Sequence, residues 1–273
     1  MVRARQSLSK YLDRLLSEGR TVFTASEAEN DLGIGHRSFL DAAERLQRSR
    51  KLLTPRQGFY VVVPPQYAGW GAPPPTWFID ALMRREDAPY YVGLLKAAEF
   101  HGATHQGVMQ FQVVCGKRLR EIRAGRSVII FYFRKAMDHP LAGVDDRKTD
   151  TGTMKISSAA LTALDLLRYP QASGGIDNIA TVLADLAPAI EPDTLASLST
   201  RVERSVVQRL GYLLDWIGED HRTGPMLDSL RSQAPLRWTE LDRDGRDPDS
   251  TSDPSVRDPK WRIHAHRLPE PDL

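Results

Sequence analysis

The residues able to do chemistry on a small molecule or an ion form a few short clusters, and none makes a complete set. His101 and His105 stand four apart with Glu99 nearby, a spacing that can put two imidazoles on one helix face for zinc. Gly102 lies between them where a helix reads as ending, and no His-Glu-x-x-His pattern is present, so cap or surface roles fit better. His264 and His266 alternate along a strand-like run and share a face, with metal binding as the alternative to an ordinary surface pair. Asp242-Arg243-Asp244-Gly245 resembles the start of a calcium loop but lacks the third alternating oxygen ligand and the closing glutamate. Gly174-Gly175 precedes a helix whose amides could hold an anion, yet it has neither Walker spacing nor a preceding Rossmann strand. Cys115, the single cysteine, sits inside an apolar run and reads as a packing residue. No Ser/His/Asp constellation is apparent. The expectation is a protein that is not an enzyme, with no cofactor and no metal.

Recognition of a polyanion is better supported. A helix predicted from about His36 to Arg50 places Phe39, Ala43 and Leu46 on one face, and the opposite face carries Arg37, Asp41, Glu44, Arg45 and Arg48, with Ser38 beside them. Arg37 and Ser38, with His36, lie at its N-terminal end, where arginine can pair bidentately with guanine. Arg45, Arg48, Arg50 and Lys51 suit phosphates, and Arg56 with Gln57 stands at a hairpin tip that could reach the backbone or minor groove. Asp41 and Glu44 would repel phosphate unless paired with Arg45 or Arg48. A winged helix that contacts protein is the other reading of the same face.

The elements that must position these residues are legible around them. Leu8, Tyr11, Leu12, Leu15 and Leu16 recur at helical spacing over roughly residues 7–18, and Gly19 stops that helix. Thr24-Ala25-Ser26-Glu27 has the capping-box pattern for a second helix ending at Gly33. Gly33-Ile34-Gly35 is the turn into the third helix. Lys51–Thr54, the turn Pro55-Arg56-Gln57-Gly58, and Phe59–Val63 then read as a hairpin. Helix-turn-helix followed by a hairpin is a winged helix, whose second helix of the pair enters the major groove.

Residues 64–75 carry five prolines and two glycines and read as a linker between a domain over 1–63 and a larger one over 76–273. Residues 1–63 hold 11 Lys and Arg against 7 Asp and Glu, while the rest holds 26 against 28, so a net charge of +2 divides into +4 and −2. In the larger part, helices near 77–83 and 94–101 precede extended runs at 110–115 and 127–133 and a short strand at 154–156. Helices follow near 158–168, 176–187, 193–201, 203–217 and 225–232. Leu236–Trp238 and Trp261–His266 read as strands, with Arg246–Ser255 a mobile loop between them. The fold class is α+β: an N-terminal winged helix-turn-helix plus a larger mixed α/β domain with a modest sheet and several helices.

At 273 residues, 41% hydrophobic and 26% charged, the composition excludes a wholly disordered chain and a fibrous repeat. The longest apolar run, Val128–Phe133, is far short of the roughly 20 residues of a membrane helix. The start, Met1-Val2-Arg3-Ala4-Arg5-Gln6, has no signal-peptide core, and a cytoplasmic protein without membrane contact is expected.

Several short stretches together resemble the AbiEi family, the antitoxins of type IV toxin–antitoxin pairs from abortive-infection type E systems. They are Gly58–Pro64, Tyr90–Ala103 (reading YYVGLLKAAEFHGA), Phe111–Val114, Thr151–Ser157, Thr162–Leu167 and Gly174–Asn178. The resemblance spans roughly residues 5–267 and implies a winged helix that binds inverted repeats in double-stranded DNA upstream of its own operon and represses it. It also implies a C-terminal domain that counters a cognate nucleotidyltransferase-like toxin, without requiring a stable complex. A distant likeness to a nuclease core makes a metal-dependent nuclease the alternative, but Gln112-Val113-Val114-Cys115-Gly116-Lys117 lacks the metal-binding acid. A stand-alone winged-helix transcription factor without a toxin is a further alternative. Thr162 and Asp165, on an otherwise apolar helix, fit a buried structural role at least as well as a toxin contact.

Overall fold

The computed structural model describes residues 7–104, 107–135, 137, 142–242 and 256–270. Their architecture is α+β, and two compact units make it up. One contains residues 1–91, 109–137 and 146–155, and the other contains 92–108, 138–145 and 156–273.

In the first unit, α1 (Leu8–Ser17), β1 (Val22–Thr24), α2 (Ala25–Leu32), α3 (His36–Arg48), β2 (Leu52–Arg56) and β3 (Phe59–Val62) form the winged helix, with strand order β1-β3-β2. The helices bury Tyr11, Leu15, Ala28, Phe39 and Ala43 against Phe23 and Tyr60. Tyr11 meets Phe23 edge-on at 5.5 Å, Phe23 stacks on Tyr60 at 5.4 Å, and Phe39 meets Tyr60 edge-on at 5.1 Å. Such offset and T-shaped pairs suit the ring quadrupoles. Pro55 sits where the β2–β3 register shifts between Leu53 and Arg56, a place where a residue without an N–H costs the ladder nothing.

The proline-rich segment is not a free linker. Pro65–Tyr67 and Pro75–Trp77 form single 3₁₀ turns, and Ala72, Pro73 and Pro75 are buried. Gly125, with φ of 58°, lies so close to Trp70 and Ala72 that a Cβ there would overlap their backbone. Trp77 donates its indole N–H to Asp150 at 2.9 Å, and Thr151 donates to the Trp77 carbonyl at 3.0 Å. The first unit therefore runs through the segment instead of ending at it.

Beyond that segment come α4 (Ile79–Arg85), β4 (Tyr90–Val92), α5 (Leu94–Phe100), β5 (Gln110–Cys115), β6 (Ile122–Ala124), β7 (Ser127–Phe133), β8 (Val144–Thr149) and β9 (Gly152–Ser157). The six strands form one sheet in the order β6-β7-β5-β4-β9-β8, with β5 and β7 parallel in unbroken register from Gln110↔Val128 to Cys115↔Phe133. The sequence reading lacks β4, β6 and β8. Two of these have three residues each, and β8 is exposed and polar (Val-Asp-Asp-Arg-Lys-Thr), so none shows an apolar alternation.

The second unit is mainly helical: α6 (Ala159–Arg168), α7 (Gly175–Leu186), α8 (Pro192–Ser199), α9 (Arg204–Trp216) and α10 (Gly224–Gln233). Residues 159–167 of α6 are all buried, the mark of a helix surrounded by others. A small sheet follows, of β10 (Thr239–Glu240), β11 (Val256–Asp258) and β12 (Ile263–Ala265), in the order β10-β12-β11. Its first strand lies C-terminal to the expected Leu236–Trp238, and the loop expected over Arg246–Ser255 lies largely outside the described residues. Trp261 is fully buried with its ring against Gly211, where a side chain would overlap it. Its indole N–H donates to Asp215 at 2.6 Å, and its carbonyl accepts from Gln208 at 2.7 Å. No helix among the described residues is long and apolar enough to cross a membrane.

Candidate nucleic-acid interface

The geometry of α3 is set by α2 and the turn between them. Thr24 caps α2: its hydroxyl accepts from the Glu27 N–H at 3.2 Å, and Glu27 accepts from the Thr24 N–H at 2.6 Å, the reciprocal pair of a capping box. Burial pushes the Glu27 carboxyl up, but the Thr24 hydrogen bonds and Arg20 outweigh it and bring its pKa below the ordinary value. Gly33 ends α2 in left-handed backbone (φ 60°, ψ 40°), a conformation that lets the chain turn at once into α3. Gly35 is the N-cap of α3 and offers no side chain to its first amides. Those amides and the positive end of the helix macrodipole therefore stand open to an anion.

The residues expected to read DNA fall into two groups. Along α3, Arg37, Ser38 and Arg45 are exposed, and Arg50 and Lys51 follow its end exposed, with Arg50 in left-handed backbone (φ 55°). None of these five side chains has an intrachain partner among the described residues. His36 is bound through Nδ1 to Glu29 at 2.6 Å, which ties the start of α3 to α2. Arg48 pairs with Glu44 at 2.6 Å one turn away, so the carboxylate that would repel a phosphate is neutralised on the helix surface.

The second group is the wing tip, and here the sequence reading needs correction. Arg56 donates to Glu86 at 3.1 Å and to the Arg120 carbonyl at 2.6 Å, and its guanidinium lies 5.8 Å from the centre of the Phe131 ring. Arg85 donates to the Gln57 carbonyl at 3.0 Å, and a Cβ on Gly58 would stand 2.9 Å from Arg85 Nη2. Arg56 is thus occupied inside the first unit and is not free to reach a minor groove, and the Gln57 backbone is anchored beside it. Sequence could not disclose this, because the partners lie 30 and 64 residues away.

The remaining candidates resolve into structural roles. His101 Nε2 bonds the Ser157 carbonyl at 2.8 Å at the end of α5, while His105 lies outside the described residues. Cys115 is fully buried and donates to the Lys117 carbonyl at 3.1 Å, and burial pushes its thiol pKa up, away from nucleophilic use. At Gly174, Asn178 donates to the Ser173 carbonyl at 2.7 Å and packs so closely that a Cβ on Gly174 would meet its side chain. Asp242 is described but Arg243–Gly245 are not, so the calcium-loop reading lies outside the described residues. Thr162 and Asp165 are fully buried, and Thr162 is 2.7 Å from the Ser157 hydroxyl, which removes both from any surface contact with a partner. To the His264 and His266 pair the structure adds Glu240, which the sequence reading missed, in a cluster whose ligand-type atoms lie within 4.8 Å of one another. Only strand pairing brings the three together, and no spacing in the sequence signals it.

Comparisons with known proteins bear on the family and the fold. Residues 91–216 match the family model described as the AbiEi antitoxin C-terminal domain. The crystal structure of the RV2827C protein from Mycobacterium tuberculosis is similar in fold, with a TM-score of 0.68 at 19% identity, over 96% of this chain and 93% of that one. No curated protein sequence matches the chain.

Proposed function

Residues 91–216 belong to the AbiEi antitoxin C-terminal domain family, and from that premise we propose a DNA-binding autorepressor that is also the antitoxin of a type IV pair. The observation that carries the DNA reading is the open N-terminus of α3, with Arg37, Arg45, Arg50 and Lys51 exposed and without intrachain partners among the described residues. Two open positive ends, the helix dipole and the guanidinium of Arg37, favour a phosphate or guanine edge at the same place. In this reading Arg37 and Ser38 contact bases, and Arg45, Arg48, Arg50 and Lys51 hold phosphates, with α3 in the major groove of inverted repeats upstream of the operon. The wing tip contributes through its fixed position and not through Arg56.

The toxin countered is of the nucleotidyltransferase type, and the antitoxin domain acts without an exposed role for Thr162 or Asp165. An intracellular, non-catalytic regulator is the matching setting. The test is a mobility shift with the DNA upstream of the gene. Specific retardation that weakens steeply with salt supports the repressor, and its absence at low salt defeats it. Co-expression with the neighbouring gene product, scored by growth, tests the antitoxin half separately.

A further inference from the structure

The C-terminal sheet has two unlike faces. One buries Leu241, Trp261, Ile263 and Ala265. On the other, parallel pairing sets Glu240 of β10 directly beside His264 of β12. His266 lies one residue past the end of β12, its ring beside that of His264. Oxygen and nitrogen atoms of all three converge within 4.8 Å. Glu240 Oε2 contacts His266 Nε2, Glu240 Oε1 lies 3.7 Å from His264 Nδ1, and the imidazole centres are 4.5 Å apart.

The Glu240–His266 contact does not by itself account for the placement of His264. A separation of 3.7 Å exceeds an N–H···O bond, and His264 Nε2 is buried with no hydrogen-bond partner among the described residues. A buried imidazole nitrogen without a partner carries a desolvation cost. Around a divalent ion, nitrogen and oxygen ligands at about 2.0–2.2 Å from the metal stand about 3 Å from each other. The three ligand-type atoms, all within 4.8 Å of one another, lie close to the spacing that such an ion imposes. The nearby Arg209 guanidinium donates through Nε to the Glu240 carbonyl at 2.8 Å, which holds the β10 backbone in place.

We propose that Glu240, His264 and His266 form a binding site for a divalent transition-metal ion of the zinc class. Imidazole with one carboxylate suits zinc, cobalt, nickel and iron, and disfavours the all-oxygen preferences of calcium and magnesium. Three protein ligands leave the remaining positions to water. The ion joins β10 to β12 where the ladder is only two residue pairs long, so binding stabilises the end of the chain.

The experiment uses the full chain, free of any histidine tag and stripped with a chelator. Zinc chloride is titrated by calorimetry and cobalt chloride by visible absorption, with thermal melting in parallel. The site predicts saturable, chelator-reversible uptake, cobalt ligand-field bands, and a melting temperature that climbs with metal concentration by mass action. His264→Ala and His266→Ala each weaken zinc binding by more than about tenfold, while His101→Ala leaves it unchanged. Zinc binding that survives both His264→Ala and His266→Ala overturns the proposal, as does no saturable binding by the unaltered chain. Should the alanine variants fail to fold, the imidazole proton resonances of the unaltered chain decide. Shifts of His264 and His266 on adding zinc support the site, and unmoved resonances overturn it.

Discussion

Arg37 and Arg45 of α3 and several arginines of the helical second unit are the same residue type in opposite circumstances. On α3, Arg37 and Arg45 reach no intrachain group among the described residues. In the second unit, Arg168 pairs with Glu203, Arg222 donates to Glu219 at 2.7 Å, and Arg204 donates to the Leu230 and Ala234 carbonyls at 3.2 and 2.6 Å. Arg267 binds Asp177 through two hydrogen bonds of 2.8 Å. Composition counts these cations alike. What separates them is whether their hydrogen-bonding capacity is spent within the fold, and unspent capacity at an open helix N-terminus is what a nucleic-acid reader requires.

Substitutions can break or sharpen that contrast. The largest effect is expected in the second unit, where Gly211→Ala drives a methyl into the Trp261 ring. Overpacking of this kind costs about 3 kcal/mol, seen as a lowered urea midpoint, whereas Ser38→Ala on α3 leaves the midpoint unchanged. Next comes a crossed pair. Arg37→Ala weakens operator binding by about 1–3 kcal/mol and relaxes base preference while the melting temperature stays constant. Arg204→Ala lowers the melting temperature by the loss of charged hydrogen bonds worth about 1.5–3 kcal/mol, and DNA affinity at a folded temperature stays constant. If Arg37→Ala destabilises the fold and spares DNA binding, the contrast fails.

Thr24→Ala probes the link between the two properties, since it removes the α2 cap that orients α3. It should cost about 1 kcal/mol of stability by chemical denaturation. The smallest effect concerns Asp177, whose pKa the Arg267 hydrogen bonds hold below the ordinary aspartate value. A depressed folded pKa means that the pair stabilises above the unfolded carboxylate value and loses this as pH falls through the folded one. The unaltered chain should therefore exceed Asp177→Asn in stability near neutral pH by less than about 1 kcal/mol, because both groups are over a third exposed. The difference should shrink as pH falls below the ordinary carboxylate range and vanish once Asp177 is protonated in the folded state as well.

The winged helix was legible because its determinants are local. The Thr24–Glu27 capping box, the glycine turn and the Phe39/Ala43 face all lie within a few residues of what they position. The helices of the second unit were legible for the same reason, each fitting its apolar period to within two residues. The exposed edge strand β8 and the paired catch of Arg56 by Glu86 and Arg120 were not, because neither leaves an apolar period and both depend on distant chain. Glu240 illustrates the same limit: 24 residues separate it from His264, and only a parallel ladder makes them neighbours.

That ladder and the sheet before it also set an order in time. The winged helix makes its contacts over short separations, and a growing chain can complete them early. The Tyr90 hydroxyl accepts from the Lys155 N–H across 65 residues, and the Trp77 indole reaches Asp150 across 73. Asp177 must wait for Arg267, 90 residues later. During synthesis the winged helix therefore forms first and the second unit closes last, its Asp177–Arg267 pair waiting for the final stretch of chain.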